Sequence, residues 1–112
     1  MLFRSEEIFQ ELNQRYFDNL LAQPALGWSR TPSRTMLGHF DPAHNAIIIS
    51  RIFDRPHTPR FLVEYIVYHE MLHLRHPVEH RHTRRCVHTR EFKEAKRAFP
   101  RLAEAQLLLK KL

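Results

Sequence analysis

The sequence has one cysteine, two glycines and no long apolar run, and these scarcities exclude several classes of protein. A single thiol, Cys86, can form neither an internal disulfide nor a Cys-x-x-Cys zinc ribbon, so any metal must be held by histidine and carboxylate. No stretch is long enough to cross a bilayer, and the first residues lack the apolar core of a signal peptide. We therefore expect a cytoplasmic protein without a membrane segment. Its 112 residues suit one domain, residues 1–112, in a monomer.

The net charge of +6 is confined to the second half of the chain. Residues 1–66 carry seven basic and seven acidic side chains, whereas residues 67–112 carry eleven basic and five acidic ones. Six of the nine histidines also lie in the second half, between residues 69 and 88. This concentration of charge and histidine predicts that the functional site lies after residue 66.

Hydrophobic periodicity in the first half predicts a helix followed by a small sheet. Apolar residues at helical spacing indicate a first helix over residues 5–21, with Ser5 as its N-cap. Three short runs, residues 26–31, 35–40 and 45–50, are typical of strands, and we expect them to form a three-stranded antiparallel sheet. The third run is apolar on both faces, which predicts that this strand is covered on both sides.

The second half is predicted to be helical, which makes the chain α+β. Apolar side chains surround residues 61–74 on almost every side, so this segment should form a helix in the middle of the domain. Pro77 ends that helix, and residues 78–87 should form a polar loop rich in arginine and histidine. Two further helices are predicted over residues 89–99 and 100–112.

The central helix contains an HExxH motif, His69-Glu70-Met71-Leu72-His73. Residues four apart on a helix share a face, so both imidazoles can bind one ion. Glu70 lies one step round the helix, where it can take a proton from water without coordinating the metal. Zn²⁺ with three protein ligands and an open position lowers the pKa of bound water to about 7. The motif therefore predicts zinc-dependent hydrolysis of peptide bonds with Glu70 as the general base.

The third metal ligand must lie beyond Pro77. His88 is favoured because it stands at the start of the third predicted helix, where a defined backbone can aim it at the central helix. We interpret His76, His80 and His82 as solvated polar residues at a helix end or in a loop. The full set of candidates past the proline is Glu79, His80, His82, His88, Glu91 and Glu94.

These motifs resemble the SprT-like zinc metallopeptidase domain, a family that includes bacterial SprT proteins and the protease Spartan, which degrades proteins crosslinked to DNA. The family's pattern is HExxH followed by a third His three residues before a Glu/Gln-aromatic pair, and this chain has His88-Thr89-Arg90-Glu91-Phe92. The resemblance extends over about residues 8–99. Its N-terminal part rests on Asn13, Tyr16-Phe17, Leu20, Trp28-Ser29, Arg34, Gly38 and Ile47 to Ser50.

The resemblance implies a zincin-type fold and a zinc metalloendopeptidase that acts on protein or peptide substrates. It further implies that His69, His73 and His88 bind Zn²⁺ and that Glu70 is the catalytic base. The chain departs from the pattern at Thr89, where many members carry Gly. Many members also append a cysteine-rich ribbon or a DNA-binding module, and these residues contain neither, so a role in DNA repair is not implied.

A cluster of arginines accompanies the motif. Between residues 74 and 90 the chain has five arginines and only one acid, Glu79. Such a cluster is either a solvated charged face or a surface for phosphate groups or acidic substrates. No aromatic residue interleaves the arginines, so stacking on bases is not indicated. If nucleic acid is a partner, the expected contacts are Arg81, Arg84 and Arg85.

Two other functions fit the sequence. In a zinc-stabilised nucleic-acid-binding module, four protein ligands close the site, and His80, His82 or Glu91 supplies the fourth. In a latent peptidase, the C-terminal segment with Leu107-Leu108-Leu109 fills the cleft.

For an active peptidase, we expect an extended peptide to lie along an exposed edge of the sheet. Tyr68, His76 and the loop arginines are the candidates for stabilising the oxyanion.

Overall fold

The computed structural model describes residues 4–75, 79–81, 84–86 and 90–112. The predicted α+β class is confirmed. The helices are α1 (Ser5–Tyr16), α2 (Arg60–Arg75), α3 (Arg90–Arg97) and α4 (Leu102–Lys110). The strands are β1 (Ala25–Trp28), β2 (Gly38–Asp41), β3 (Ala46–Ile49), β4 (Glu79–Arg81) and β5 (Arg84–Cys86), and a 3-10 turn (Arg51–Phe53) follows β3. Within these ranges no helix combines the length and apolarity needed to span a bilayer.

The main sheet is mixed, which corrects the prediction of an antiparallel one. Its strand order is β1-β3-β2. β2 and β3 pair antiparallel, with Gly38 opposite Ile49, whereas β1 and β3 pair in parallel, with Ala25 opposite Ala46. The reason is that β3 enters between the first two strands instead of adding at the edge. The hairpin between β2 and β3 was predicted correctly, and β1 and β2 are the two edge strands.

The central strand and the central helix form the middle of the core. Ala46, Ile47 and Ile49 of β3 are buried, which confirms the prediction that this strand is covered on both sides. Helix α2 packs against α1, α3, α4, β2 and β3, as its apolar sequence predicts. The side chains of α2 that carry the metal motif are therefore held by neighbours on several sides.

Helix α1 ends five residues earlier than predicted. Asp18 and Asn19 adopt positive φ angles of 52° and 60°, a left-handed conformation that stops the helix. The side chain of Asn13 fixes this turn: its Nδ2 donates to the carbonyl oxygen of Leu21 at 2.9 Å, and its Oδ1 accepts from the Leu21 amide at 3.2 Å. At the other end, Ser5 is the first helical residue and not the N-cap, a position that Arg4 occupies without a side-chain hydrogen bond.

The predicted loop over residues 78–87 contains a short hairpin. β4 and β5 pair antiparallel, with Glu79 opposite Cys86, His80 opposite Arg85 and Arg81 opposite Arg84. These six residues show no alternation of apolar and polar side chains, so hydrophobic patterning could not indicate the strands. The two C-terminal helices were predicted correctly, although α3 ends at Arg97 and α4 begins at Leu102.

Candidate metal centre

Three residues of α2 bring their ligand atoms together. One atom from each of His69, Glu70 and His73 lies within 4.8 Å of the other two. The helix produces this arrangement because His69 and His73 are one turn apart and Glu70 is adjacent to the first. Imidazole nitrogen and carboxylate oxygen are donors that zinc takes in proteins, so the residues present fit a metal ion. The predicted third ligand, His88, lies outside the described residues.

The ring of Phe92, on α3, packs against both imidazoles. Its centroid lies 5.3 Å from that of His69, with the rings nearly perpendicular at 83°, and 4.6 Å from that of His73 at 37°. The two imidazole centroids are 5.0 Å apart. Because Phe92 is only 1% exposed, the ring cannot move away without opening the core. It therefore restricts the rotation of the two histidines.

Glu70 is buried on the side of α2 that faces β2. Only 6% of the residue is exposed, and burial raises the pKa of its carboxyl to about 7. A carboxyl with this pKa can both take and release a proton near neutral pH. A cation bound by the neighbouring imidazoles would act in the opposite direction on the pKa, because a nearby positive charge favours the carboxylate.

Strand β2 approaches this part of α2 very closely. A β-carbon built on Gly38 would lie 2.7 Å from Cγ2 of Ile66 and 3.6 Å from Oε2 of Glu70. Non-bonded contacts to a β-carbon as short as 2.7 Å essentially never occur in proteins. Only glycine therefore lets the edge strand lie against the helix at the position of Glu70.

A cleft of about 360 Å³ opens beside His69 and Glu70. One wall is the segment of residues 35–39, which leads into β2. Tyr65 and Ile66 line the cleft from α2, and Leu109 lines it from α4. The cleft thus places the candidate ligand His69 and the buried carboxyl next to β2.

Tyr68, one of the candidates for stabilising the oxyanion, does not line this cleft. Its hydroxyl donates a hydrogen bond to the carbonyl oxygen of Ala95 at 2.7 Å. Its ring lies 5.1 Å from that of Tyr16 and 5.4 Å from that of Phe99, and burial raises the pKa of the hydroxyl to about 12. Tyr68 therefore joins α2 to α1 and to the segment that includes α3. Another candidate, His76, lies outside the described residues.

The sequence did not reveal the residues that form most of the cleft. Met36, His39 and Tyr65 come from segments that local patterning could not bring together. Gly38 was indicated by the family resemblance, and His69 and Glu70 by the HExxH motif. In the latent peptidase the C-terminal leucines would fill the cleft, and the structure places Leu109 in its wall.

Comparison with known families confirms the resemblance. The model of the SprT-like family matches residues 5–107, which is nearly the whole chain. No curated protein matches the chain. The matched range includes the HExxH segment of α2, the edge strand that contains Gly38 and helix α3 with Phe92. The protein therefore belongs to the SprT-like family.

Proposed function

We propose that this protein is a zinc-dependent metalloendopeptidase that hydrolyses peptide bonds of protein substrates. The observation that carries the proposal is the convergence of the His69 and His73 imidazoles with the Glu70 carboxyl group, one atom of each lying within 4.8 Å of the other two, at the side of an accessible cleft. Membership of the SprT-like family supports a metalloprotease at the level of the family. Helix α2 belongs to the core, so these side chains are held on a rigid element, as a reacting site requires.

The proposed zinc ligands are His69, His73 and His88. The first two share a face of α2 and are packed by Phe92. The third is assigned from the sequence pattern. When bound, Zn²⁺ supplies a Lewis acid that polarises the scissile carbonyl and makes a water molecule more acidic.

Glu70 is the proposed general base. As the water oxygen forms a bond to the carbonyl carbon, the Glu70 carboxylate takes the water's proton. The same proton then passes to the amide nitrogen as the C–N bond breaks, which leaves a carboxylic acid and an amine and restores the carboxylate. The burial of Glu70 keeps bulk water away from this proton and favours transfer along the reacting bonds.

The substrate's main chain is proposed to lie along the free edge of β2. An edge strand presents unpaired amide and carbonyl groups, to which an extended peptide can add as a further strand. β2 pairs with β3 on one side only, and Gly38 brings it against Glu70. A peptide bound there would pass the buried carboxyl, and pairing through the main chain would tolerate many sequences.

The test is hydrolysis of a denatured, fluorescently labelled protein by the zinc-loaded enzyme. Glu70→Gln should retain zinc and the folded state while hydrolysis falls by several orders of magnitude, because the base does not hold the metal. Glu64→Gln is the matched control, since Glu64 lies on the same helix and pairs with Arg60 at the surface. Hydrolysis that survives in Glu70→Gln, or zinc that is lost with it, would contradict the role given to Glu70.

The hairpin of β4 and β5 favours a second candidate function, a zinc-stabilised module that binds nucleic acid without catalysis. Its register pairs Arg81 with Arg84 and His80 with Arg85, which concentrates cationic residues in a segment of eight. Arg81, Arg84 and Arg85 give this short segment a concentrated positive charge, so a polyanion that neutralises it would be a favourable partner.

This candidate is tested by titrating labelled DNA at about 50 and 200 mM salt, a range over which several phosphate contacts change affinity measurably. Binding that weakens steeply with salt and is lost in the triple variant Arg81→Ala, Arg84→Ala, Arg85→Ala would support nucleic acid as a partner. Such binding by a zinc-loaded protein that hydrolyses no peptide would favour the non-catalytic module over the peptidase.

A further inference from the structure

We propose that Leu109, on α4, makes the cleft selective for substrates with an apolar side chain next to the scissile bond. The inference rests on the proposed peptidase function and adds the class of substrate. Leu109 lines the same cleft as His69 and Glu70, although it lies 39 residues after Glu70 in the sequence.

Three consecutive leucines of α4 have different surroundings, because successive residues on a helix point about 100° apart. Leu107 is 57% exposed. Leu108 lines a separate apolar groove with Phe53 and Leu62. Only Leu109 of the three lines the cleft beside Glu70. The position of Leu109 therefore results from the orientation of α4 about its own axis as it packs against α2. The exposed Leu107 on the same helix provides a matched control.

The walls of the cleft offer little to a charged side chain. Among the described residues that line it, the ionisable groups are His39, Tyr65, His69 and Glu70, and the last two belong to the proposed reaction centre. No lysine or arginine occurs in this part of the lining. A charged side chain that entered would lose its hydration, and among these residues it could find a charge partner only in the groups of the proposed reaction centre.

An apolar side chain would instead gain by burial. Met36, Leu37, Ile66 and Leu109 supply apolar surface from the segment before β2, from α2 and from α4. Met36 is 56% exposed, so its flexible side chain can close over an occupant. Removing such a substrate side chain from water is favourable in proportion to its apolar area.

The size of the cleft indicates that Leu109 lines the space and does not fill it. About 360 Å³ of space lies beside this residue, which is near the lower end of the roughly 300–1,000 Å³ typical of ligand sites. This space accommodates one or two side chains of a peptide. The main chain along β2 would fix the peptide's direction, and this space would then select the side chain.

The experiment measures kcat/KM of the zinc-loaded protein for quenched fluorescent peptides of one parent sequence. The two residues that flank the cleaved bond, located by mass spectrometry, are changed in turn to Leu, Phe, Ala, Asp and Lys. At one of the two positions we expect Leu and Phe to be cleaved at least about tenfold faster than Asp and Lys, the scale of discrimination that an apolar pocket gives.

Leu109→Lys should reverse this preference, with slower cleavage of the Leu peptide and faster cleavage of the Asp peptide. Leu107→Lys adds the same charge to the same helix outside the cleft and should keep the wild-type profile. Zinc content and the melting curve are measured for each variant. Should Leu109→Lys fail to fold, Leu109→Ala provides the second test, because the enlarged cleft should shift preference from Leu toward Phe.

Each remaining outcome contradicts the inference in a recognisable way. Equal rates for all peptides, or an unchanged profile in both variants of Leu109, would overturn the selectivity and leave the peptidase intact. A uniform rate increase in Leu109→Ala would show that the residue obstructs entry and does not select. If the zinc-loaded protein cleaves none of the peptides and no denatured protein, the proposed function fails and this inference with it.

Discussion

Gly38 and Ile66 are in such close contact that a β-carbon on the glycine would lie 2.7 Å from Cγ2 of the isoleucine. The contact joins the edge strand β2 to α2, four residues before Glu70 on the helix. The distance between β2, along which the substrate is proposed to bind, and the proposed base Glu70 therefore depends on the absence of a side chain at Gly38.

We predict that Gly38→Ala lowers both stability and peptide hydrolysis. Overpacking of a core contact costs about 1–3 kcal/mol, and for a domain of this size each 1 kcal/mol lowers Tm by about 4 °C. Hydrolysis should fall further than the folded fraction does, because β2 is displaced from Glu70. Gly27→Ala is the control, since a β-carbon there would meet Cδ1 of Ile48 at an ordinary 3.7 Å. Equal melting temperatures and rates in the two variants would contradict the prediction.

A second prediction concerns the packing of the imidazoles. Phe92→Leu should weaken zinc binding by about tenfold or more, the lower end of the effect of groups that orient metal ligands. It should also alter the visible spectrum of the cobalt-substituted protein, because the ring at 4.6 Å from His73 no longer restricts the ligands. Phe53→Leu removes an equally buried ring from a different groove and serves as the control for stability alone. If zinc affinity and the cobalt spectrum change equally in Phe92→Leu and Phe53→Leu, Phe92 contributes only to the stability of the core and does not position the histidines.

The protein should bind about one Zn²⁺ per chain, and His88 should be one of its ligands. A ligand that binds only the folded state at about 1,000 times its Kd stabilises it by about 4 kcal/mol, so chelation should lower Tm clearly. His88→Ala should reduce zinc affinity by orders of magnitude, whereas His80→Ala and His82→Ala should not. Zinc analysis with competition by a chelator measures these affinities. If Glu91→Ala impairs binding and His88→Ala does not, the assignment of the third ligand is wrong.

The raised pKa of Glu70 predicts a pH dependence for the metal-free protein. Between about pH 4.5 and 7 the carboxyl ionises in the unfolded chain while it stays protonated in the folded one. The folded state then binds more protons, so this group makes the free energy of unfolding fall as pH rises through that window. The loss reaches between about 3 and 4 kcal/mol, given about 1.4 kcal/mol per pH unit.

Glu70→Gln isolates this contribution because it removes the ionisation and keeps the size of the side chain. The variant and the wild type should unfold with similar free energies near pH 5, and the metal-free variant should become the more stable of the two by pH 8. Urea unfolding at a series of pH values measures the difference. A difference that does not change with pH would mean that the carboxyl ionises in the folded state as it does in solution.

The features that depend on local spacing follow from the amino-acid sequence alone. The HExxH motif lies on a helix that the apolar residues predict, and a helix brings residues four apart to one face whatever surrounds it. The prediction that the imidazoles of His69 and His73 share one face therefore needed no tertiary information, whereas the approach of the Glu70 carboxyl group to both of them is seen only in the structure. The family could also be predicted from the sequence, because its pattern combines the HExxH motif with residues at defined distances along the chain.

The order of the strands and the walls of the cleft depend instead on contacts between segments that are distant in the sequence. The position of β3 between β1 and β2 depends on pairing between strands that are distant in the sequence. The alternation of apolar and polar residues within a strand does not indicate its partner. The early end of α1 is accompanied by two hydrogen bonds between the side chain of Asn13 and the backbone of Leu21, eight positions away, one donated and one accepted by Asn13. Leu109 reaches the cleft because α4 packs on α2 with one particular face turned inward. Side-chain packing between these distant segments determines which face that is.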